Sequence, residues 1–314
     1  MSENPYNLRS FHHDYFKPFI YHIIFKKQKN CKDFGYLRGN SEFLPGQHGA
    51  PYVYLSPLGR SILNGLYSFD KKYPEFQKFH FMIMPDHIHV ILYKKEYTSI
   101  SFDKYMERFK EMMLEKYNSD TGRNLKPGDV FTPGITDKPL YEHRSLDVWY
   151  KYLDANPYRR MKILQNPKFF ERRYNLKIGN EVVEAYGNIF LLSNPDKYAV
   201  RMRRRFTLQM VETHKSEALY EAQRGSVLVS PFVADAEKAV LDLAEKSEAK
   251  LIKIKYEKLG EKYKPARHEF DLCGAGRLLI LSIGLEPGTF RSYSVCTRMN
   301  ELAAAIASGP LPHL

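Results

Sequence analysis

Cysteine is scarce in this chain. Three occur in 314 residues, Cys31, Cys273 and Cys296, with no Cys-x-x-Cys pair among them. So few and so scattered, they argue against a disulfide scaffold and a zinc ribbon, and they suit a reducing cytoplasm. Long apolar runs are missing too: the longest, around residues 278–281, falls far short of the ~20 residues of a membrane-spanning helix. The N-terminal MSENPYNLRSFHHDYF is polar and mixed, without the apolar segment of a secretory signal. Acidic charge is in deficit, with 36 Asp and Glu against 48 Lys and Arg and a net charge of +12. That excess favours a polyanionic partner, nucleic acid or an anionic membrane surface, although a basic protein with no such partner has the same composition. With no membrane anchor in the sequence, nucleic acid is the better supported of the two. No internal repeat or low-complexity tract is evident.

What is present suffices for two cores, or for one domain with large appendages. Hydrophobic residues make up 43% of the chain and aromatics 14%, mostly Tyr and Phe. Aromatic rings fill cores, and they are also surfaces on which unstacked bases lie. The stretch FIYHIIFK, residues 19–26, is β-branched and apolar and predicts a strand. Residues 58–73 carry apolar side chains at helical spacing. FHFMIMPDHIHVILY, residues 79–93, predicts two strands broken at Pro85-Asp86. In the second, His87, His89 and Ile91 point one way and Ile88, Val90 and Leu92 the other. A helix follows over 101–117, then a glycine- and proline-rich loop over 118–138, then a helix over 144–155 with Asn156-Pro157 at its end or at a kink.

Two histidines flanking one apolar strand residue present both imidazoles on one face, a spacing that suits two ligands of one divalent metal. Alone, such a pair is more often two ordinary sheet residues. Asp86 is placed either to orient one imidazole or only to shape the turn. In KYLDANP, Tyr152 and Asn156 are four apart, on one helix face. An Asn carbonyl oxygen suits Mg²⁺ or Mn²⁺ as a third ligand, and a tyrosine beside that metal could attack a phosphodiester. Taken alone, these two are more often a core tyrosine and a helix-ending Asn-Pro. Tyr141 and Tyr150 compete for the nucleophile's role. Tyr150 lies about 200° around the helix from Tyr152, and Tyr141 precedes the helix.

MPDHIHVIL, a long helix, a loop and a helix ending YLDANP, in that order, resemble the REP-associated tyrosine transposases of the HUH single-tyrosine superfamily. The resemblance spans roughly residues 15–165. It implies an α+β fold with a ferredoxin-like antiparallel sheet and a divalent metal, Mg²⁺ or Mn²⁺, held by His87, His89 and Asn156. It also implies that Tyr152 is a nucleophile forming a 5′-phosphotyrosine and releasing a 3′-hydroxyl. The partner implied is single-stranded or hairpin DNA, cut and rejoined at hairpin or palindromic ends by a monomer or homodimer in a bacterial cytoplasm, at the nucleoid. A domesticated DNA- or RNA-hairpin binder without cleavage is the alternative.

On this reading residues 1–165 are the catalytic domain, 166–215 a basic connecting region with short strands, and 216–314 an accessory domain. In the last, SVLVSPF, an amphipathic helix, KLIKIKY and RLLILS predict a small α/β unit, Rossmann-like in texture. Gly274-Ala275-Gly276 is no dinucleotide fingerprint, and no organic cofactor is expected. Arg159, Arg160, Arg172, Arg173, Arg201, Arg203, Arg204 and Arg205 crowd the segment after the nucleophile helix. Their planar forks suit phosphates, and as a group they are candidate DNA contacts. His12, His13, His22, His80 and His143 have no spacing argument and are left as surface or core residues.

Overall fold

The computed structural model describes residues 13–141, 146–202, 207–261 and 263–309. Strands and helices mix throughout, an α+β architecture divided into two compact units, Met1–Lys162 and Ile163–Leu314.

The first unit runs β1 Phe19–Lys26, β2 Gly35–Arg38, β3 Tyr52–Leu55, α1 Pro57–Lys72, β4 Phe76–Ile83, β5 His87–Lys94, α2 Phe102–Thr121, α3 Pro127–Val130, β6 Thr136–Pro139, α4 Leu146–Asp154 and α5 Asn156–Gln165. β2 and β3 form a separate antiparallel ribbon, and the main sheet is antiparallel in the order β4-β5-β1-β6. Period-two alternation splits that sheet into two faces. Tyr21, Ile23, Phe25, Ile88, Val90 and Leu92 are fully buried on the first and share one core with α1 and α2. There Phe69 and Phe109 stack at 3.8 Å.

Each long helix starts where a hydroxyl can satisfy an orphan amide. Ser56 accepts from the Gly59 amide at 3.1 Å with Pro57 opening α1, and Ser101 caps α2, which Gly122 ends in the left-handed region. The two helices meet closely at Gly65, where an added Cβ would stand 2.6 Å from the Met113 Cα. Gly65→Ala therefore forces the helices apart. We expect it to lower stability by about 1–3 kcal/mol, measured as a shifted urea midpoint; an unchanged midpoint would contradict this packing.

The 118–138 segment departs from the expected loop. α2 continues to Thr121, Pro127 opens a one-turn helix, and Thr136–Pro139 pairs with β1 as an edge strand. At the end of an edge strand a proline's missing N–H costs little. The Asn156-Pro157 step is a kink. The helix breaks at Ala155 and resumes as α5.

The second unit comprises β7 Glu171–Ile178, β8 Glu181–Gly187, β9 Lys197–Ala199, α6 Leu208–Gln223, β10 Val227–Ser230, α7 Asp235–Lys246, β11 Lys250–Glu257, α8 Arg267–Gly274, β12 Leu278–Leu285 and α9 Tyr293–Ala307. One sheet takes them in the order β7-β8-β12-β11-β10-β9. Residues 166–215, expected as a basic connecting region with short strands, hold its strands β7, β8 and β9. The four strands β9 to β12 are parallel, and β8 and β7 join antiparallel. Val227, Leu228, Val229, Leu279, Ile280 and Leu281 are fully buried, as continuous apolar runs between two covered faces require. The sheet is mixed, and its parallel strands follow chain order in one direction. It lacks the reversal of strand order that a doubly wound Rossmann sheet carries. At the start of α7, the buried Glu237 carboxylate accepts from the amides of Met202, Val233 and Ala234.

Candidate active site

The second face of the antiparallel sheet is polar at its centre. Register sets His22 opposite Ile91 and Ile24 opposite His89. Across β4, His80 stands opposite Ile91 and Met82 opposite His89; across β6, Lys138 stands opposite His22. Directly opposed residues share a face. His22, His80, His87, His89 and Lys138 therefore project from one side, away from the α1–α2 core.

The histidines form a connected row. Asp86 Oδ1 lies 2.7 Å from His87 Nδ1, His87 Nε2 lies 2.9 Å from His89 Nε2, and His89 Nδ1 lies 2.9 Å from His22 Nε2. His22 and His89 are buried, at 7% and 4% exposure, and their rings stack at 5.1 Å. The hydrogen bond from His87 holds the Asp86 carboxyl below the usual carboxylate range, helped by the charges of His87 and Arg160 and opposed by burial. An ionised Asp86 is an acceptor for a proton on His87 Nδ1, and that tautomer would leave Nε2 bare toward His89 Nε2.

Helix α4 crosses this face. Trp149 and Tyr152, one turn apart, lie over the histidines: Trp149 is 5.1 Å from the His22 ring, and Tyr152 stands edge-on to both His22 and His89 at 6.3 Å. Tyr150 and Asp154 reach β4 instead. The Tyr150 ring sits 5.0 Å from that of His80, and Asp154 Oδ1 is 2.7 Å from His80 Nε2. Burial pushes the Tyr150 phenol up, away from the phenolate a nucleophile needs. Tyr141 stands elsewhere. Its hydroxyl bonds His13 at 3.2 Å and its ring packs on Phe19, on the Tyr21 face of β1.

Asn156 opens α5 beyond the break. Its amide donates to the Tyr152 and Leu153 carbonyls at 3.2 and 3.1 Å, capping α4 and leaving Oδ1 as an acceptor. Among the described residues no group of three or more His, Cys, Asp and Glu side chains is disposed to hold a metal ion. The two nitrogens that converge are His87 Nε2 and His89 Nε2, 2.9 Å apart.

The arginines divide. The Arg159 guanidinium lies 5.3 Å over the Tyr152 ring, and the charge of Arg160 helps to lower the Asp86 pKa. Arg172 contacts its own unit: it donates to the carbonyls of Gly260 and Tyr263 and stacks on Tyr186. Arg173 pairs with Glu171 at 2.5 Å, and Arg201 is exposed. Arg203, Arg204 and Arg205, like His12 and His143, lie outside the described residues.

Sequence reasoning missed His22, His80, Trp149, Asp154 and Lys138, whose ammonium lies 5.6 Å over the Trp149 ring. The signal for the first two was the alternation of β1 and β4 taken together with an antiparallel register to β5. No helix among the described residues is long and apolar enough to cross a membrane. No protein-family model matches the chain, and comparison with curated proteins returned no match. Among solved structures it is similar to a REP-associated tyrosine transposase bound to a REP hairpin, at a TM-score of 0.33 and 11% identity, over 49% of this chain and 74% of that one.

Proposed function

We propose that the protein is a metal-dependent nuclease and strand transferase for single-stranded DNA, with Tyr152 as its nucleophile. The observation that carries the reading is the meeting of the Tyr152 ring, edge-on at 6.3 Å, with the His89 ring of the His87–His89 pair. The β1-α1-β4-β5-α2-β6 order and the sheet order β4-β5-β1-β6 support a ferredoxin-like fold for the first unit. The expected substrate is DNA with hairpin or palindromic ends, the class implied by the resemblance of MPDHIHVIL and YLDANP.

In this reading the Tyr152 oxygen attacks the scissile phosphorus. An O–P bond forms, the bond to the 3′ oxygen breaks, and the products are a 5′-phosphotyrosine and a 3′-hydroxyl. His87, His89 and Asn156 would hold Mg²⁺ or Mn²⁺, which supplies polarisation of the phosphate and screens its charge. Arg159 brings a cation to the same place, and Lys138 and Trp149 line the approach. Asp86 fixes the His87 tautomer. Asp86→Ala should weaken Mn²⁺ binding about 10-fold, measured by titration calorimetry, and equal affinity in the variant would remove Asp86 from the site.

The direct test incubates the protein with labelled single-stranded hairpins and Mn²⁺ and resolves the products on a denaturing gel. A protein–DNA band that survives denaturation is the expected result. Tight hairpin binding without it favours the non-cleaving binder.

A further inference from the structure

We infer that His22 is the positioning residue for His89, doing from β1 what Asp86 does for His87. The inference rests on the metal-dependent reading above. A ring nitrogen can face a cation only when it carries no proton, and the other nitrogen then carries one and needs an acceptor. For His87 that acceptor is the Asp86 carboxylate at 2.7 Å. His89 is only 4% exposed, so water has little access to its second nitrogen, and the atom 2.9 Å from its Nδ1 is His22 Nε2. By accepting there, His22 would leave His89 Nε2 bare. Its own position is fixed: the ring is 7% exposed, stacks on His89 at an interplanar angle of 19°, and is covered by Trp149 at 5.1 Å.

An imidazole can also serve in the opposite sense. With no cation, His22 can donate to His89 Nδ1, and His89 can then donate from Nε2 to the bare His87 Nε2 across 2.9 Å. The row of three rings thus has a consistent proton arrangement in either state. A buried apolar side chain at position 22 supports neither, whereas a glutamine amide, both donor and acceptor, supports both.

The test measures Mn²⁺ affinity by electron paramagnetic resonance of the free ion in the unaltered chain, His22→Phe and His22→Gln. His22→Phe should bind about 10- to 100-fold more weakly, and His22→Gln within about threefold of the unaltered protein. Equal affinity in His22→Phe, or as large a loss in His22→Gln, overturns the assignment. A measurement without any variant guards against misfolding: imidazole ¹⁵N shifts of the unaltered protein in Mg²⁺ should put the His89 proton on Nδ1, and a proton on Nε2 overturns it. Failure of the unaltered protein to bind Mn²⁺ rejects the metal reading itself. Binding that is indifferent to His22 rejects only the role given to that residue.

Discussion

Tyr152→Phe should abolish covalent attachment to DNA while leaving hairpin binding within a few-fold. The expected loss of adduct is on the order of 10³-fold or more, because no other group replaces a missing nucleophile. The substitution removes one oxygen and keeps the ring that packs 6.0 Å from Trp149 and lies beneath the Arg159 guanidinium, so the helix and its cation stay in place. Two controls separate this from a general effect of losing a phenol. Tyr150→Phe should form adduct normally, since its ring rests on His80. Tyr141→Phe should do so as well, since its hydroxyl serves His13. Undiminished adduct in Tyr152→Phe rejects the assignment, whatever the controls show.

His89→Ala is expected to be the most damaging of the site's histidine substitutions. His89 stands between His87 and His22, 2.9 Å from each, so its removal would take away one of the two imidazoles proposed to hold the metal and disconnect the other from β1. Cleavage should fall by about 10³-fold and lose its dependence on Mn²⁺. His87→Ala should follow the same pattern with Asp86 left unpaired. Trp149, the only tryptophan in the chain, reports on the site. Paramagnetic Mn²⁺ should quench its fluorescence in the unaltered protein and leave it unquenched in both variants. Cleavage that proceeds equally well in chelator removes the metal from the account.

The elements that could be read in advance are those whose own residues carry the pattern. FIYHIIFK and HIHVILYK alternate or run apolar over eight residues each and are β1 and β5. α1 and α2 announce themselves by the helical spacing of their apolar residues. The pairing of His87 with His89 is also local, because alternate strand residues share a face. His22 is not local: it is one histidine in an apolar strand, and only the register that sets Ile24 opposite His89 brings it to the row. His80 was hidden for the same reason, and Asp154 because its partner lies 74 residues away in sequence.

Other misreadings came from composition. Glycine and proline around residues 118–138 concealed a short helix and an edge strand, since a strand with one unpaired side tolerates proline. Three continuous apolar runs, SVLVSPF, KLIKIKY and RLLILS, suggested a small parallel α/β unit, and nothing in Glu171–Ile178 or Glu181–Gly187 announced that these strands would join it antiparallel. Arg172 looked like its neighbours in a basic stretch, and nothing local announced that it donates to the carbonyls of Gly260 and Tyr263.

The measurement that bears most directly on the account is the mass-spectrometric mapping of the DNA-bearing peptide after reaction with a single-stranded hairpin and Mn²⁺. The mass of a 5′-phosphonucleotide should be found on the phenol of Tyr152 and on no other residue. The same mass on Tyr150 or Tyr141, or no modified peptide where the hairpin has been cut, would contradict it.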